Sequence, residues 1–187
     1  MARGISDTHI LDAALDVIAQ HGYTGATTRQ IAAAAGINEV TLFRRFRNKQ
    51  TLLKAVVEQE AASFVAAGIE YTGDLEADLS RVVHFYHTVV AERGRVIAML
   101  ITEIPRQPEL LEIMQTPLAI MATIGAMLER YQQEGRLVQE PPMHAFFALV
   151  GPVFLEHTIE SVQPNIVNRS FDSVAYIRHY LHGRRMS

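Results

Sequence analysis

The chain contains no cysteine and no tryptophan among its 187 residues. The lack of cysteine excludes disulfide bonds, thiol catalysis and zinc sites with thiolate ligands, and it is typical of proteins of a reducing cytosol. No apolar run has the length that a membrane-spanning helix needs. The first residues also lack the apolar centre of a signal peptide. We therefore expect a cytoplasmic protein without membrane contacts.

Motifs that carry catalysis are absent as well. The sequence contains no G-x-S-x-G, H-E-x-x-H or G-x-x-x-x-G-K-S/T pattern. It also lacks the Glu-x-x-His pairs that a di-iron helical bundle uses. Acid–base catalysis by scattered histidines and glutamates is an alternative, but no spacing points to it. The sequence predicts a protein that is not an enzyme and that uses no cofactor and no metal.

Charge is unevenly distributed along the chain. The net charge of −3 at pH 7 combines an excess of three basic residues in 1–56 with an excess of six acidic residues in 57–187. Between Thr41 and Lys54 there are five basic residues and no acidic one: Arg44, Arg45, Arg47, Lys49 and Lys54. An acidic body with one basic end suits a protein that contacts a polyanion in one orientation. A solvated basic face is the alternative interpretation of this charge run.

Residues 26–49 have the pattern of two short helices joined by a tight turn. Thr27 and Gln30 make a capping-box pattern at the start of the first helix. Gly36 stands where a left-handed backbone would end that helix, and Asn38 is a good N-cap for the next. The second helix then points two large apolar residues inward, one turn apart: Leu42 and Phe46. This is the plan of a helix-turn-helix, whose second helix enters the major groove of DNA.

The segment from Ile10 to Val57 resembles the DNA-binding domain of TetR-family transcriptional repressors. The elements that carry the resemblance keep their order and spacing: Gly22-Tyr23, Thr27-Thr28-x-x-Ile31-Ala32, Ala35-Gly36, Thr41-Leu42-Phe43, Phe46 and Lys49. The rest of the chain is similar to the family in length and helical character only. Two residues depart from the family pattern: Phe43 stands where tyrosine is usual, and Arg45 where histidine is common.

The chain as a whole predicts an all-α fold, with glycine and proline residues between the helices. We expect a helix-turn-helix DNA-binding domain over 1–50 and a ligand-binding and dimerisation domain over 51–187. The expected helices outside the turn motif are Asp7–His21, one from after Asn48 to near Gly73, Asp74–Arg93, Arg95–Ile104, a short one between Pro108 and Pro117, Pro117–Gly135, 142–162 and 171–182.

Contacts to DNA are expected on both helices of the turn motif. Thr28 and Arg29 lie near free backbone amides at the start of the first, which suits phosphate. Glu39 and Val40, at the exposed front of the second, are expected to face base edges. A carboxylate can accept from the amino group of cytosine, and a valine can contact the methyl group of thymine. Arg44 can reach either phosphate or guanine.

The resemblance implies further DNA contacts. It makes Thr41, Phe43 and Arg45 groove-facing or phosphate-facing, and it makes Lys49 a phosphate contact at the start of the fourth helix. Phe43 lacks the hydroxyl with which tyrosine binds phosphate. Arg45 can compensate, because it carries a permanent charge and a bidentate fork. Packing of Phe43 against the first helix, and a solvent-facing Thr41, are the alternatives.

Reading two half-sites of a palindromic operator requires a dimer. Apolar and small residues recur at helical spacing in 142–162, and we expect them at the dimer surface: Phe146, Val150, Phe154, His157 and Ser161. Pro152 is expected to bend this helix. The resemblance implies that 142–162 and 171–182 pack against their twofold mates as a four-helix bundle. Burial within one subunit is the alternative.

The resemblance also implies a small-molecule effector that binds an apolar cavity in the body and releases DNA. Candidate ligand contacts are His84, His87, Met99, Thr102, Glu103, Met121 and Phe147. Methionine adapts to irregular apolar ligands, but it is also ordinary core filler. His84 and His87 lie one turn apart, although no third metal ligand stands near them in sequence. Repression is the family habit; an activator, or a helical interaction protein that uses the same turn motif, is the alternative.

Overall fold

The computed structural model describes residues 5–163 and 171–184, apart from the side chains at positions 60, 109, 161 and 162. Within these ranges it is all-α and has no strand, as the sequence predicts. The α-helices are α1 (Asp7–Gly25), α2 (Thr28–Ala34), α3 (Glu39–Phe46), α4 (Lys49–Ala66), α5 (Leu75–Glu103), α6 (Gln115–Gln133), α7 (Pro142–Val162) and α8 (Ser173–His182). Two 3₁₀ turns, Ile104–Arg106 and Pro108–Glu112, lie between α5 and α6.

The predicted caps of the turn motif are confirmed. The Thr27 side chain accepts from the Gln30 N–H, and the Gln30 side chain accepts from the Thr27 N–H at 2.9 Å, which completes the capping box of α2. Gly36 has a φ of 66°, a left-handed conformation that costs glycine little. Asn38 Oδ1 accepts from the Thr41 N–H at 2.7 Å and so caps α3. Local chemistry alone therefore sets the start of both helices.

Two predicted boundaries are wrong. α4 ends at Ala66, before Gly68 with its φ of 61°, rather than near Gly73. α5 continues through Gly94 to Glu103, whereas the sequence suggested two helices with a break there. A single glycine inside a helix costs only about 1 kcal/mol relative to alanine. Apolar residues that pack on both sides of Gly94, such as Val90 and Val96, outweigh that cost.

The chain divides into two compact units. The first, called the head unit here, comprises Met1–Ala61 and Arg95–Thr116; the second, the body unit, comprises Ala62–Gly94 and Pro117–Ser187. The three boundaries fall inside α4, inside α5 and near the start of α6. The end of α5 and the 3₁₀ turns thus pack with the turn motif. The predicted functional boundary at residue 50 stays a prediction and differs from this division.

Each unit has its own apolar core. In the head unit the core joins α1, α2, α3 and the first turns of α4 to the end of α5; it includes Ile10, Ile18, Ile31, Leu42, Leu53 and Leu100. In the body unit it joins α5, α6, α7 and α8; it includes Leu79, Val83, Leu128, Phe146, Leu149 and Ile177. Aromatic rings pack edge to face in the second core, for example Tyr86 against Phe146 at 5.5 Å between centroids.

A buried carboxylate links α5 to α6 in the body unit. Asp78 is fully buried, and it accepts hydrogen bonds from the Thr72 N–H at 2.8 Å and from the Tyr131 hydroxyl at 2.5 Å. Arg81 forms an ion pair with it. Burial raises the pKa of Asp78, but these hydrogen bonds and the Arg81 charge outweigh burial, so the pKa lies below its ordinary value.

One helical segment has the length and apolar composition of a membrane-spanning helix, which the sequence analysis did not predict. By length and composition alone, Leu110–Gln133 could cross a membrane, with 28% of its most apolar window buried inside the protein. The same segment carries the exposed charged residues Glu129 and Arg130. Its residues Ile124, Leu128 and Tyr131 are fully buried in the body-unit core. This side of α6 is therefore part of a protein core.

Candidate nucleic-acid interface

The helix α3 presents one buried and one exposed face. Leu42 and Phe46 are buried in the head-unit core, at 2% and 7% exposure. Val40 is 77% exposed and Phe43 is 46% exposed, so Phe43 is not buried in the core, as the alternative interpretation from sequence would require. Thr41 is half-buried, beside the exposed Arg44. Of the predicted outward residues of α3, Val40, Phe43 and Arg44 thus lie on its solvent face.

Small residues bring α2 close to its neighbours. Ala32 and Ala35 are buried at 2% and 0% exposure, and Ile31 is fully buried beside them. The Ile37 N–H donates to the Ala32 carbonyl at 3.0 Å across the turn. Two helices that pack over alanine can approach closely, which fixes the position of α3 relative to α2.

Thr28 and Glu39 contact one another across the turn motif. The Thr28 hydroxyl donates to Glu39 Oε1 at 2.6 Å, and both side chains are half-buried. The predicted phosphate contact of Thr28 and the predicted base contact of Glu39 are thereby coupled. Arg29, which follows Thr28 on α2, is exposed.

Arg45 is bound within the head unit. Its Nη1 donates to the Ile5 carbonyl at 2.7 Å and to Asp7 Oδ1 at 3.0 Å. The Arg45 side chain is 30% exposed and that of Asp7 is 67% exposed. This pair ties α3 to the start of α1. The other N–H donors of the guanidinium are in neither bond, so a phosphate contact by Arg45 would share the side chain, and its charge, with an intramolecular carboxylate.

Lys49 is also engaged inside the head unit. Its ammonium donates to the Tyr23 carbonyl and, at 2.8 Å, to the Ala26 carbonyl, and it lies 4.3 Å from the centre of the Tyr23 ring. Burial lowers the pKa of Lys49, against an opposing effect of Glu103. An ammonium group has three N–H donors. At most one of them is thus left for the phosphate contact that the resemblance implies.

Several features of this candidate interface could not be predicted from the sequence. Asp7 and Tyr23 bind basic side chains 38 and 26 residues away, and no local pattern marks such pairs. Arg47 closes α3 with a φ of 56°, rare for a residue with a side chain, and it is exposed. Its place in the basic run was visible, but its backbone conformation was not.

The end of α5 contacts the last turn of α1. Thr24 donates to Glu103 Oε2 at 3.5 Å, and Gln107 Nε2 donates to the Thr24 hydroxyl at 3.1 Å. Gly22, with φ 71° and ψ 168°, breaks the helical geometry within α1 just before Thr24. The predicted end of the first helix at Gly22 coincides with this break. Glu103 therefore lies against the end of α1, just before the turn motif.

The candidate ligand contacts are divided between the two units. Met99, Thr102 and Glu103 lie in the head unit, where Thr102 is exposed and Met99 packs against the core. The other four candidates lie in the body unit: His84, His87, Met121 and Phe147. His84 and Phe147 are exposed, and Met121 is half-buried. The structure does not gather the seven residues at one place within either unit.

His87 has aromatic neighbours on two sides. Its ring lies 4.7 Å from that of His157 and stacks on Phe171 at 4.6 Å. Burial and then His157 and His84 lower the pKa of His87, although Glu156 raises it. No group of three or more metal-ligating side chains is found in the described part of the chain. His87 thus belongs to an aromatic cluster between α5 and α7.

Two of the five predicted dimer residues lie in the body-unit core. Phe146 is fully buried and Val150 is 6% exposed, so both are core residues and cannot contact a partner. Phe154 and His157 are half-buried. The Ser161 side chain lies outside the described residues. The outward face of α7 instead carries Phe147, Leu155 and Ile159, which are 54%, 57% and 38% exposed.

The turn motif also matches a known family and known relatives. The family model described as bacterial regulatory proteins, tetR family, matches residues 10–56. The chain is 36% identical to the HTH-type transcriptional regulator YvkB of Bacillus subtilis over 77 residues, 41% of each chain. It is 26% identical to the HTH-type transcriptional repressor AcnR of Corynebacterium diphtheriae over 172 residues, 88% of this chain and 87% of AcnR.

A solved structure shares the fold over nearly the whole chain. The fatty acid degradation regulator FadR from Bacillus halodurans superposes with a TM-score of 0.69 at 22% identity, covering 97% of this chain and 95% of that chain. At this identity the likeness shows the fold alone. By sequence, the chain spans 41% of the length of YvkB and 53% of a regulator from Mycobacterium bovis.

Proposed function

This chain belongs to the TetR family of bacterial regulatory proteins, which are transcriptional regulators and not enzymes, and we propose that it represses transcription by binding a palindromic operator as a homodimer. In this proposal α3 enters the major groove, and a small apolar effector releases the protein from DNA. The protein acts in the cytoplasm, where its operator is.

The observation that carries the proposal is the solvent face of α3. Val40 and Phe43 expose apolar surface beside the exposed cations Arg44 and Arg47, and Glu39 stands at the front. Apolar side chains exposed next to cations suit a partner surface that is apolar in part and negatively charged in part. Base methyl groups and edges supply one, while phosphates on either side match the cations.

A second copy of the chain is the proposed partner of α7. Phe147, Leu155 and Ile159 are spaced by multiples of four residues, so they form one exposed stripe along the helix. Gly151 lies in the same stripe, and a Cβ atom there would meet nothing within 4 Å. A symmetry-related α7 could therefore approach closely at Gly151 and cover the apolar stripe.

The effector is proposed to bind the body unit and to act through α5. This helix starts in the body unit and ends at Glu103, which accepts from Thr24 in the last turn of α1, just before the turn motif; Gln107, in the connection that follows, also contacts Thr24. The name of the FadR neighbour points to fatty acids as a class to test. Release requires that effector bind the DNA-incompetent state more tightly, since equal affinity shifts nothing. A tenfold loss of affinity corresponds to about 1.4 kcal/mol of coupling.

A mobility-shift assay with DNA that flanks the coding region of this protein tests the proposal. We expect a specific complex that survives excess unrelated duplex and that weakens steeply as salt rises. We expect a long-chain fatty acid to lower the affinity for this DNA at least tenfold, which corresponds to about 1.4 kcal/mol of coupling. No specific complex would contradict DNA binding, and an unchanged affinity with fatty acid would contradict that effector class.

A further inference from the structure

The carboxylate of Glu39 is held in place by a residue of the preceding helix. Glu39 is the first residue of α3, and the Thr28 hydroxyl on α2 donates to its Oε1 at 2.6 Å. The bond spans 11 positions and crosses the turn between the two helices. It restrains a side chain that otherwise has several rotamers.

A hydroxyl has a single hydrogen to donate. The Thr28 hydroxyl gives it to Glu39, so in this conformation the same group cannot donate to a phosphate. Glu39 keeps Oε2 as a second acceptor. Because Asn38 Oδ1 accepts from the Thr41 N–H at 2.7 Å, the first turn of α3 is also fixed at its backbone. Oε2 is therefore presented from a rigid position.

An ionised carboxylate can only accept hydrogen bonds. Phosphate oxygens would repel it, as would the acceptors O6 and N7 of guanine and O4 of thymine. Cytosine alone presents an amino donor in the major groove with no acceptor on the same base; adenine places N7 beside its amino group. A fixed carboxylate at the front of a major-groove helix thus discriminates in favour of cytosine.

We infer that Glu39 is a specificity-determining residue that selects cytosine at one position of each half-site, and that Thr28 is its positioning residue. The inference rests on the proposed function, because it requires α3 in the major groove. It goes further in assigning the base, the acceptor atom and the residue that orients it. Val40, the next exposed residue, is free of this restraint and contacts a neighbouring base pair.

The test is selection of bound duplexes from a random library by the full-length chain. We expect a twofold-symmetric motif with cytosine at one position per half-site, preferred roughly tenfold over other bases. Glu39→Gln should move that preference to adenine, because an amide can both donate to N7 and accept from the amino group. Glu58→Gln, which removes an exposed carboxylate of α4, is the matched control and should leave the motif unchanged.

The role of Thr28 is tested by rescue and by a double-mutant cycle. Thr28→Val should reduce the cytosine preference several-fold, whereas Thr28→Ser, which retains the hydroxyl, should restore it. In the Glu39→Ala background, which has no side-chain acceptor for the Thr28 hydroxyl, Thr28→Val should no longer alter base preference, since its effect passes through Glu39.

The outcomes separate the two proposals. If no sequence is enriched, sequence-specific DNA binding fails and this inference with it. An enriched motif that is the same for wild type and Glu39→Gln overturns the inference alone. A Thr28→Val effect of equal size in both backgrounds overturns the positioning role.

Discussion

Single residues of the basic run have different tasks in the folded chain. Arg45 and Lys49 bind acceptors inside the head unit, namely Asp7 and the carbonyls of Tyr23 and Ala26. Arg44 is exposed. The count of positive charges therefore overstates the charge that is available to phosphate, because Arg45 and Lys49 already donate to acceptors of the protein. When a cation gives up a partner within the protein to bind phosphate, the new contact adds less net binding free energy than a contact made by an unpaired cation.

The ion pair between Arg45 and Asp7 makes DNA affinity depend on the charge of Asp7. Asp7→Asn removes the anion that competes with phosphate for Arg45, so we expect DNA affinity to rise across all sequences. Arg45→Ala should lower affinity uniformly and reduce the salt slope by about one unit. Both are measured by titration of labelled duplex at several salt concentrations.

The double variant supplies the control for that pair. If Asp7 acts by occupying Arg45, Asp7→Asn should have little added effect on the Arg45→Ala protein beyond its long-range charge. A change of preferred base with Arg45→Ala would show a base contact instead of a phosphate contact. Lower affinity with Asp7→Asn would contradict the competition.

At the scale of elements, sequence located helices well where a cap or a positive φ decides. The starts of α2 and α3 follow from Thr27 and Asn38, whose partners lie three residues on. The predicted break at Gly94 was wrong because the low helix propensity of one glycine costs less free energy than the packing of a long helix contributes. α5 accordingly continues to Glu103 and contacts Thr24.

α7 shows why periodicity alone misplaced the dimer residues. Mostly apolar residues occupy both of its faces, with Phe146 and Val150 buried and Phe147 and Leu155 exposed. A helix apolar all round buries one face in its own unit and offers the other to a partner. The set of residues that faces the core and the set that faces outward then have the same apolar spacing, so the sequence does not distinguish them. Only the packing of α7 on its unit tells them apart.

The buried Asp78 predicts how stability depends on pH. Its pKa is lowered in the folded state, so its contribution is complete above the ordinary value of 3.8 and is lost as pH falls through the folded value. Asp78→Asn replaces one carboxylate oxygen with an NH2 group, so the side chain can no longer accept all the hydrogen bonds from Thr72 and Tyr131. We expect it to lower the free energy of unfolding near neutral pH by about 1–3 kcal/mol.

Urea unfolding at a series of pH values measures this effect. The gap between wild type and Asp78→Asn should narrow as the solution becomes strongly acidic, because protonation removes the charge in wild type. Glu129→Gln, which changes an exposed carboxylate of α6, should leave stability nearly unchanged. A gap independent of pH would contradict the role of the charge.

At the scale of the whole molecule, one head gives little specificity, and pairing of two heads sets the half-site spacing. The exposed stripe of α7 is the surface on which the proposed homodimer depends. Leu155→Asp places a charge in that stripe at a residue that is 57% exposed. The monomer fold should therefore tolerate the substitution, while a dimer interface should not.

We expect Leu155→Asp to sediment as a monomer in analytical ultracentrifugation and to lose specific DNA binding, with an unchanged circular dichroism spectrum. Leu118→Asp, an equally exposed leucine of α6 at 54%, is the matched control and should stay dimeric. A dimeric Leu155→Asp protein would place the interface elsewhere.

The helical class, the turn motif, its caps and the outward face of α3 follow from the sequence, because they depend on residues within one or two helical turns. The bond from Thr28 to Glu39, the pairing of Asp7 with Arg45 and the contacts of Lys49 with carbonyls are visible only in the folded chain. Those contacts join residues far apart in sequence, where no periodicity operates. Their geometry follows from the packing of helices on a shared core, which local chemistry does not specify.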